Sequence, residues 1–354
     1  MDSSESRVCS ICKESKSLVS FPLGVCADCI RNRFSEALPR ILAVHKESRE
    51  KFNLPYQVKS AKGILCSLCG NECRMEEGER GFCGIKVNKG GRIHHLVGTP
   101  RRGWLSFYYD PLPTNCVAEW VCPERTNYGY YNLAVFYNSC TFNCLFCQNW
   151  HFRQAPRFEE VFTAEELVEK IGDRVRCICY FGGDPSSQIL HAIKTSRLAL
   201  KKKKVRICWE TNGNINSNLL KEVASLSWES GGIIKFDLKA YEEKINIALT
   251  GVSNRKTLEN FAYLARWRKR ENPPFLVAST LLVPGYIEKE EVFKIASFIS
   301  SLDPEIPYTL LAFYPAFLMS DLPTTSRKQA MECLESARRA GLKRARVGNA
   351  HLLS

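Results

Sequence analysis

The sequence of 354 residues contains no long apolar run, no internal repeat and no low-complexity tract. Because a membrane-spanning helix needs about 20 consecutive apolar residues, we expect no transmembrane segment. The polar start, MDSSESRVCS, lacks the apolar stretch of a secretory signal peptide, and this predicts a cytoplasmic protein. The length of the chain predicts two or three domains. Hydrophobic residues make up 45% of the chain, which is enough for a sizeable core, so we do not expect the chain as a whole to be disordered.

Cysteine, in contrast, is abundant, with 17 residues. Reducing conditions disfavour disulfides, so this number predicts thiolates that bind metal or perform redox chemistry. Thirteen of them form four groups, which are Cys9, Cys12, Cys26 and Cys29; Cys66, Cys69, Cys73 and Cys83; Cys116 and Cys122; and Cys140, Cys144 and Cys147. We expect Cys177, Cys179 and Cys208, which lie in strand-like runs, to pack as small buried hydrophobic residues.

The chain is also basic, since 50 Lys and Arg residues against 37 Asp and Glu give a net charge of +13. This charge suits an acidic partner or nucleic acid, and it equally suits a cytosol rich in anions. The run 201–204 of four lysines ends a predicted helix, where cations interact favourably with the helix dipole. We therefore interpret this run as a solvated helix end rather than a binding patch.

The sequence pattern divides the chain into four parts. The pattern of residues 1–52 predicts a zinc-ribbon-like domain followed by a charged amphipathic helix over 31–52, and residues 53–63 predict a linker. The apolar face of this helix contains Ile30, Phe34, Leu38, Ile41 and Leu42. Residues 64–130 are rich in turns and cysteines and predict a metal-binding extension. Residues 131–354 predict a separate core domain in which strands alternate with helices.

The core domain has six predicted strands, at 132–138, 176–181, 205–209, 232–237, 275–283 and 308–314. Predicted helices lie between them, near 163–171, 187–203, 216–226, 254–270 and 287–301. Continuously apolar strands joined by helices are typical of a parallel sheet covered by helices. Six such units predict an α/β fold, a partial (β/α)6 barrel.

Each predicted strand ends in a distinctive segment. In order, these segments are the cysteine triplet, GGDP (182–185), ETNG (210–213), DLK (237–239), VPG (283–285) and FYP (313–315). The C-terminal ends of parallel strands form one rim, where ligands bind in such folds. We therefore predict that the six segments meet at one site.

The cysteine triplet offers three thiolates within eight residues. Three ligands leave one iron of a four-iron cluster open, and a cofactor with an amine and a carboxylate can chelate that iron. The alternative is a zinc loop completed by a distant ligand such as His151. Structural zinc normally takes four closed ligands, which favours the cluster.

At these residues the chain resembles a known family. Residues 131 to about 350 resemble radical S-adenosylmethionine (SAM) enzymes, especially the pyruvate formate-lyase activating enzyme branch. The resemblance rests on YNSCTFNCLFCQNW, FGGDP, ETNG, FDLKA, TGVSNRKTLENF, LLVPG and VGN. It implies a (β/α)6 partial barrel, a 4Fe–4S cluster on the triplet, and reductive cleavage of SAM to a 5′-deoxyadenosyl radical that abstracts hydrogen from a substrate.

The same resemblance implies nine SAM-binding positions. They are Phe146 near the adenine; Gly182, Gly183 and Asp184 along the amino group; Glu210, Thr211 and Asn212 at the carboxylate and ribose; and Asp237 and Lys239 as a further SAM-binding pair. Asp184 replaces the commoner glutamate of the family. The segment FYP lacks the histidine that activating enzymes place near the adenine.

The front half carries two four-cysteine groups. The spacing Cys9-x2-Cys12-x13-Cys26-x2-Cys29 is typical of a structural zinc ribbon, with an iron–sulfur site as the alternative. The segment CSLCGNEC…ERGFCGIKVNKGGRI, which carries the second group (Cys66, Cys69, Cys73 and Cys83), resembles the front of an activating-enzyme-like subfamily related to the AmmeMemoRadiSam-type proteins. Zinc and an auxiliary 4Fe–4S cluster both remain open for that group.

Two further features carry weaker signals. Cys116 and Cys122 flank Trp120, and we favour packing over the alternatives of capping the barrel mouth or binding a substrate or cofactor. His94 and His95 lie in a strand-like run, so their side chains alternate and at most one faces a site.

The sequence therefore predicts hydrogen abstraction from a protein or peptide, an activating-enzyme-like modification with ferredoxin or flavodoxin as electron donor. One alternative is a radical SAM protein methyltransferase using cobalamin or a second SAM, although no separate cobalamin-binding domain is visible. Another is a zinc-ribbon module that binds nucleic acid. We expect no membrane partner. A stable substrate radical would support the activating-enzyme hypothesis, and a methylated product would support the methyltransferase. Protein that contains iron would support an enzyme, whereas protein that contains only zinc would support the binding module.

Overall fold

The computed structural model of the chain describes residues 8–15, 18–59, 61–114, 116–154 and 158–354. Residues 1–7 of the polar start used in the signal-peptide argument lie outside this part. Within it, none of the helices combines the length and apolar character that crossing a bilayer requires.

Two helices follow the first cysteine group, α1 (Ala27–Asn32) and α2 (Phe34–Glu50). Cys26 caps α1, because its side chain accepts a hydrogen bond from the backbone N–H of Cys29. Helix α2 accounts for the helix predicted over residues 31–52. It buries Ile41 and Val44, whereas Leu42, which we placed on the apolar face, is half exposed. The helix turns about 100° per residue, so Leu42 points away from the core that Ile41 faces.

The second cysteine group is enclosed by two short antiparallel ladders. Strand β1 (Ile64–Leu65) pairs with β2 (Arg74–Met75), and β3 (Lys86–Lys89) pairs with β4 (Arg92–His95). On β4, His94 is exposed and His95 is partly buried, which is the alternation that a strand imposes.

The described residues place nine strands in one sheet, in the order β13-β12-β11-β10-β9-β8-β6-β5-β7. Their bounds are β5 (Gly103–Pro111), β6 (Tyr131–Tyr137), β7 (Val161–Phe162), β8 (Val175–Phe181), β9 (Arg206–Thr211), β10 (Ile234–Asp237), β11 (Leu276–Leu282), β12 (Tyr308–Ala312) and β13 (Ala345–Gly348). Strands β6 and β8–β13 are parallel, whereas β5 and β7 add an antiparallel edge.

Seven further helices connect and cover the parallel strands in the described part of the chain. They are α3 (Ala164–Glu169), α4 (Ile189–Lys202), α5 (Ser217–Ser230), α6 (Glu243–Thr250), α7 (Arg255–Trp267), α8 (Lys289–Leu302) and α9 (Arg327–Arg339). Their ends follow local chemistry: Thr163 and Glu166 form a capping box at the start of α3, and Gly231 takes a left-handed conformation, φ 72°, at the end of α5.

The predicted partial barrel is confirmed. All six predicted strands are present and parallel, and β13, α6 and α9 were not predicted. Strand β5, from the predicted cysteine-rich extension, pairs with β6 over seven positions. The extension therefore contributes a strand to the core sheet, and the division of the chain at residue 130 stays a prediction.

Candidate functional site

The cysteine triplet lies on the loop after β6, and this loop is held from two sides. On one side, the backbone N–H groups of Asn143 and Leu145 donate to carbonyl oxygens at the end of α6, at 2.8 and 2.9 Å. On the other, the Asn143 side-chain amide donates to His45 Nδ1 and Ser48 Oγ of α2, both at 2.8 Å. Helices α2 and α6 thus fix the loop that presents Cys140, Cys144 and Cys147.

The imidazole of His45 is held in one neutral form. Its Nε2 lies 3.1 Å from the carbonyl oxygen of Ala248 and donates to it, while its Nδ1 accepts from Asn143. The pKa of His45 is lowered to about 4, mainly by burial and in smaller part by the charges of Arg49 and Arg153, while the bond to Ala248 opposes this shift. The loop is therefore anchored on a histidine that stays uncharged at neutral pH.

The three thiols of the triplet do not form the closed set that a single ion requires. Among the described residues, a set of three or more metal-ligating atoms within 4.8 Å of one another occurs at Cys9, Cys12, Cys26 and Cys29, and the triplet is not such a set. A tetrahedral zinc ion with bonds near 2.3 Å holds its sulfur ligands about 3.8 Å apart. The spread of the triplet therefore suits a larger, polynuclear group, and His151 stacks on Trp150 rather than completing a closed set.

The GGDP segment approaches the triplet loop closely. Gly182 and Gly183 have φ of 61° and 50°, and a side chain at Gly183 would place its Cβ 2.0 Å from the carbonyl oxygen of Tyr137. The backbone N–H of Asp184 donates to the carbonyl oxygen of Ser139 at 2.9 Å. Only glycine permits this approach, so the two glycines are required for the contact between the two rim segments.

The carboxylate of Asp184 connects the GGDP segment to the ETNG segment. It accepts hydrogen bonds from the backbone N–H groups of Ser186 and Asn212, at 2.8 and 2.7 Å, and from the Thr211 hydroxyl at 3.0 Å. Burial raises the pKa of Asp184, although these donors oppose that shift. The carboxylate thus positions the ETNG segment, and its contact with the SAM amino group stays a prediction.

The ETNG segment is also fixed from outside the barrel by α7. The Thr257 hydroxyl donates to the carbonyl oxygen of Asn212 at 2.7 Å, and the Asn260 amide donates to that of Gly213 at 2.8 Å. The Asn212 side chain in turn donates to the Thr141 hydroxyl, next to the first cysteine of the triplet, at 2.9 Å. These bonds give the TLENF part of the sequence a structural role that its pattern alone did not show.

Asp237 and Lys239 form an ion pair on the opposite wall. Lys239 Nζ lies 2.8 Å from Asp237 Oδ2, and the Ser279 hydroxyl donates to the other carboxylate oxygen at 2.5 Å. Burial lowers the pKa of Lys239, but the negative charges of the Asp237 carboxylate and of a Cys144 thiolate outweigh it and raise the pKa above its ordinary value. The ammonium group also lies 6.0 Å from the centre of the Phe146 ring, so a cation and an aromatic face share this wall.

The structure brings every predicted SAM and triplet residue to one cavity of about 250 Å³. Its wall contains Cys140, Cys144, Phe146, Cys147, Gly182, Gly183, Asp184, Glu210, Thr211, Asn212, Asp237 and Lys239. Burial raises the pKa of Glu210. Sequence reasoning missed Arg153, Ser279 and Leu311, which also line the cavity. The residues present therefore fit a cofactor with an amino acid portion and an aromatic base.

The first cysteine group forms a closed set. Cys9, Cys12, Cys26 and Cys29 offer four sulfur atoms within 4.8 Å of one another, and three of these residues are buried. The backbone N–H of Cys26 donates to Cys9 Sγ at 3.4 Å. This arrangement is the one that a single tetrahedral ion requires.

The second cysteine group lies against the back of the triplet loop. The Asn71 amide donates to the carbonyl oxygen of Thr141 at 2.8 Å, and the Asn214 amide donates to Asn71 at 2.7 Å. Phe82 and Cys73 pack with Phe142, Cys140 and Cys144. Unlike the first group, the thiols of Cys66, Cys69, Cys73 and Cys83 do not form a set within 4.8 Å in the described chain.

Comparison with known proteins agrees with this site. Residues 134–299 match the model of the Radical SAM superfamily. Over 306 residues the chain is 28% identical to an uncharacterised protein of Methanocaldococcus jannaschii, covering 83% of this chain and 84% of that protein. It is 29% identical over 163 residues to the pyruvate formate-lyase 1-activating enzyme of Escherichia coli K12, covering 44% of this chain and 63% of that enzyme.

A third relative is the isethionate sulfite-lyase activating enzyme of Desulfovibrio desulfuricans, 32% identical over 137 residues, or 38% of this chain and 40% of that enzyme. The chain thus spans less than two thirds of either activating enzyme. The family implies SAM and a 4Fe–4S cluster, and the thiol triplet and the cavity fit both. Residues 134–299 thus match the Radical SAM superfamily, and this part of the chain is similar to activating enzymes.

Proposed function

We propose that the enzyme holds a 4Fe–4S cluster on Cys140, Cys144 and Cys147 and abstracts hydrogen from a protein or peptide substrate. The observation that carries the proposal is the meeting of three spread thiols and nine predicted SAM positions at one cavity. When bound, the cluster supplies the electron that converts SAM into methionine and a 5′-deoxyadenosyl radical, which takes a hydrogen atom from the substrate.

The chain's own residues bind and orient the cofactor in this proposal. The ammonium group of Lys239 suits the carboxylate of the amino acid portion, and the ring of Phe146 suits the adenine. The pair Gly182 and Gly183 lets the backbone approach the ligand, while Asp184 holds the GGDP and ETNG segments together. Because Phe146 and Asp184 are buried and Lys239 and the glycine pair are partly buried, the cavity shields a reactive radical from water.

A protein substrate is supported by the relatives. Two of them are activating enzymes, named for pyruvate formate-lyase and for isethionate sulfite-lyase, which are themselves proteins. We extend this class of substrate to the present chain. The product is then a radical on the substrate, formed when one hydrogen atom moves to the 5′ carbon, rather than a methylated residue.

We also propose a metal for each front-half group. The closed set of Cys9, Cys12, Cys26 and Cys29 suits structural zinc. The Cys66 group forms no such closed set among the described residues, which favours an auxiliary 4Fe–4S cluster over zinc, because thiolates that bind different irons lie further apart than the ligands of one ion. An acidic electron donor such as ferredoxin or flavodoxin suits the net charge of +13.

The test is anaerobic reconstitution with iron and sulfide, followed by dithionite and SAM and an assay of 5′-deoxyadenosine. We expect product from the native chain and none above background from Cys144→Ala. Cys333→Ala is the matched control, because it removes a buried thiol from α9. Product from Cys144→Ala, or its absence from the native chain and the control, would contradict the proposal.

A further inference from the structure

A second cavity adjoins the SAM cavity inside the barrel. Its volume is about 500 Å³, and Gln148, Asn149 and Glu210 line both cavities. Its wall contains five cysteines, here called the lumen cysteines, which are Cys116, Cys122, Cys177, Cys179 and Cys208. They lie outside the triplet and outside both front-half groups, and neither the cluster nor SAM requires them.

The strands explain why three of these thiols face inward. Cys177 and Cys179 alternate along β8 with residues of the opposite face, as do Cys208 and Glu210 along β9. Cys179 pairs with Cys208 in the β8–β9 register, so their side chains lie side by side on the interior face. Lys235 of β10 pairs with Glu210 and extends the same interior row.

The other two thiols come from the segment between β5 and β6. Cys116 and Cys122 lie beside short turns of that segment, and both line the same cavity. Lys235 Nζ lies 3.1 Å from Cys116 Sγ and 3.2 Å from Cys179 Sγ. A buried ammonium group therefore stands between a thiol of the segment and a thiol of the sheet.

Packing alone does not account for this arrangement. Buried cysteines commonly fill a core as small hydrophobic residues, but cores are close-packed with few voids larger than a water molecule. Here Cys177, Cys179 and Cys208 are buried as predicted, yet they border a cavity together with Lys235 and Glu210. A concave space lined by thiols and converging charge is typical of a ligand site.

We infer that this second cavity, here called the lumen, binds an iron–sulfur cluster through Cys116, Cys122, Cys179 and Cys208. No three metal-ligating atoms of the described lumen lie within 4.8 Å of one another, which excludes a preformed site for one tetrahedral ion. A cluster accepts more widely spaced thiolates. The Cys177 thiol already donates to Asn132 at 3.3 Å and is left out of the ligand set.

Lys235 has a defined part in this site. Four thiolates around an iron–sulfur core leave a net negative charge, which a buried site must compensate. Lys235 supplies a cation in contact with two of the thiols. Because Glu210 lines both cavities, the lumen cluster would border the space next to SAM, where a substrate can reach both.

The test uses full-length protein in which the triplet is removed by Cys140→Ala, Cys144→Ala and Cys147→Ala, so that its result does not depend on SAM cleavage. This protein is reconstituted anaerobically and compared with versions that also carry Cys179→Ala and Cys208→Ala, or Cys333→Ala as the control. Iron, acid-labile sulfide and zinc are counted per chain, and circular dichroism verifies folding.

We expect the lumen double variant to lose at least about two irons and a similar number of sulfides per chain relative to the control, since the smallest thiolate-ligated cluster holds two of each. Equal iron in both proteins, or a loss of zinc instead of iron, would overturn the inference. The variant Lys235→Gln keeps all the thiols, so it tests the inference even if the double cysteine variant misfolds. It should retain the iron but lower the reduction potential of the lumen cluster, and an unchanged potential would count against the site.

Discussion

In the proposed function, the first cysteine group and the triplet use the same side chain for opposite purposes. Cys9, Cys12, Cys26 and Cys29 bring four sulfur atoms within 4.8 Å, whereas the three thiols of the triplet stay apart beside a cavity. Four closed ligands satisfy an ion and stabilise a fold, and three spread ligands leave a coordination position for chemistry. The arrangement of the thiols, more than their number, separates a structural site from a reactive one.

The largest effect that this comparison predicts is a reciprocal loss on removing one thiol from each site. Cys144→Ala should abolish 5′-deoxyadenosine formation and lower iron while leaving zinc unchanged. Cys12→Ala should release about one zinc per chain and lower the unfolding temperature, because a structural ion contributes its binding energy to folding. Metal analysis, calorimetry and the product assay check both. Iron loss in Cys12→Ala without zinc loss would erase the distinction.

Acid should weaken the triplet loop through His45. Its folded pKa of about 4 lies below the usual 6.5, so the unfolded chain binds more protons between these values and stability falls as the pH drops through this window. The cost is about 3 kcal/mol in free energy of unfolding by pH 4, at about 1.4 kcal/mol per pKa unit. Denaturant unfolding from pH 7 to pH 4 measures it.

His45→Gln should flatten this pH dependence, and His94→Gln, at an exposed position, should not. The difference between the two variants cancels the titration of surface carboxylates, which occurs in both. Identical pH profiles for the two proteins would show that His45 does not anchor the loop.

Asn143 distinguishes the triplet loop from the self-contained first group, because its side chain connects the loop to α2. Asn143→Ala removes the bonds to His45 and Ser48, which leaves the buried Nδ1 of His45 without its donor and Ser48 Oγ with only its bond to the His45 carbonyl oxygen. We expect a loss of about 2 kcal/mol in stability and weaker cluster loading, with zinc retained. Urea unfolding and iron analysis test this. Unchanged iron loading would show that the Asn143 side chain does not support the triplet loop.

The smallest effect concerns Asp184. In Asp184→Asn, an NH2 group replaces one of the oxygens that accept from the backbone N–H groups of Ser186 and Asn212. We expect SAM affinity to fall about tenfold, equivalent to about 1.4 kcal/mol, as the ETNG segment shifts. Equilibrium binding of SAM to the reconstituted protein measures it. Asp184→Glu, which restores the residue common in the family, should bind SAM more tightly than Asp184→Asn.

Sequence reasoning reached the candidate site because each rim segment follows its own strand. Once the strands are parallel, their C-terminal ends must meet, so the positions of Gly183, Thr211 and Asp237 follow from the order of the elements alone. The bond between His45 and Asn143 joins residues 98 positions apart, and no local pattern records it. Only Asn143, which lies inside the cysteine motif, carried a signal that could have been used.

The lumen cysteines show a second limit of sequence reasoning. Strands of a covered parallel sheet are apolar on both faces, so Cys177, Cys179 and Cys208 resemble core residues whichever face they occupy. Strand β5 was missed for a related reason, since its run GWLSFYYDP lies among turns and pairs antiparallel to the predicted core. The curvature of the barrel and the segment that carries Cys116 decide which face of a strand borders a cavity. The sequence of a single strand contains no information about either.

The central claim is that the triplet leaves one iron open to SAM. Electron paramagnetic resonance of the dithionite-reduced protein, with and without SAM, tests it most directly, and subtracting the spectrum of Cys144→Ala removes signals from the other cysteine sites. The account predicts a reduced-cluster signal, lost in Cys144→Ala, whose shape changes when SAM is added. A difference signal that is indifferent to SAM, or the absence of any difference between the native protein and Cys144→Ala, would contradict it.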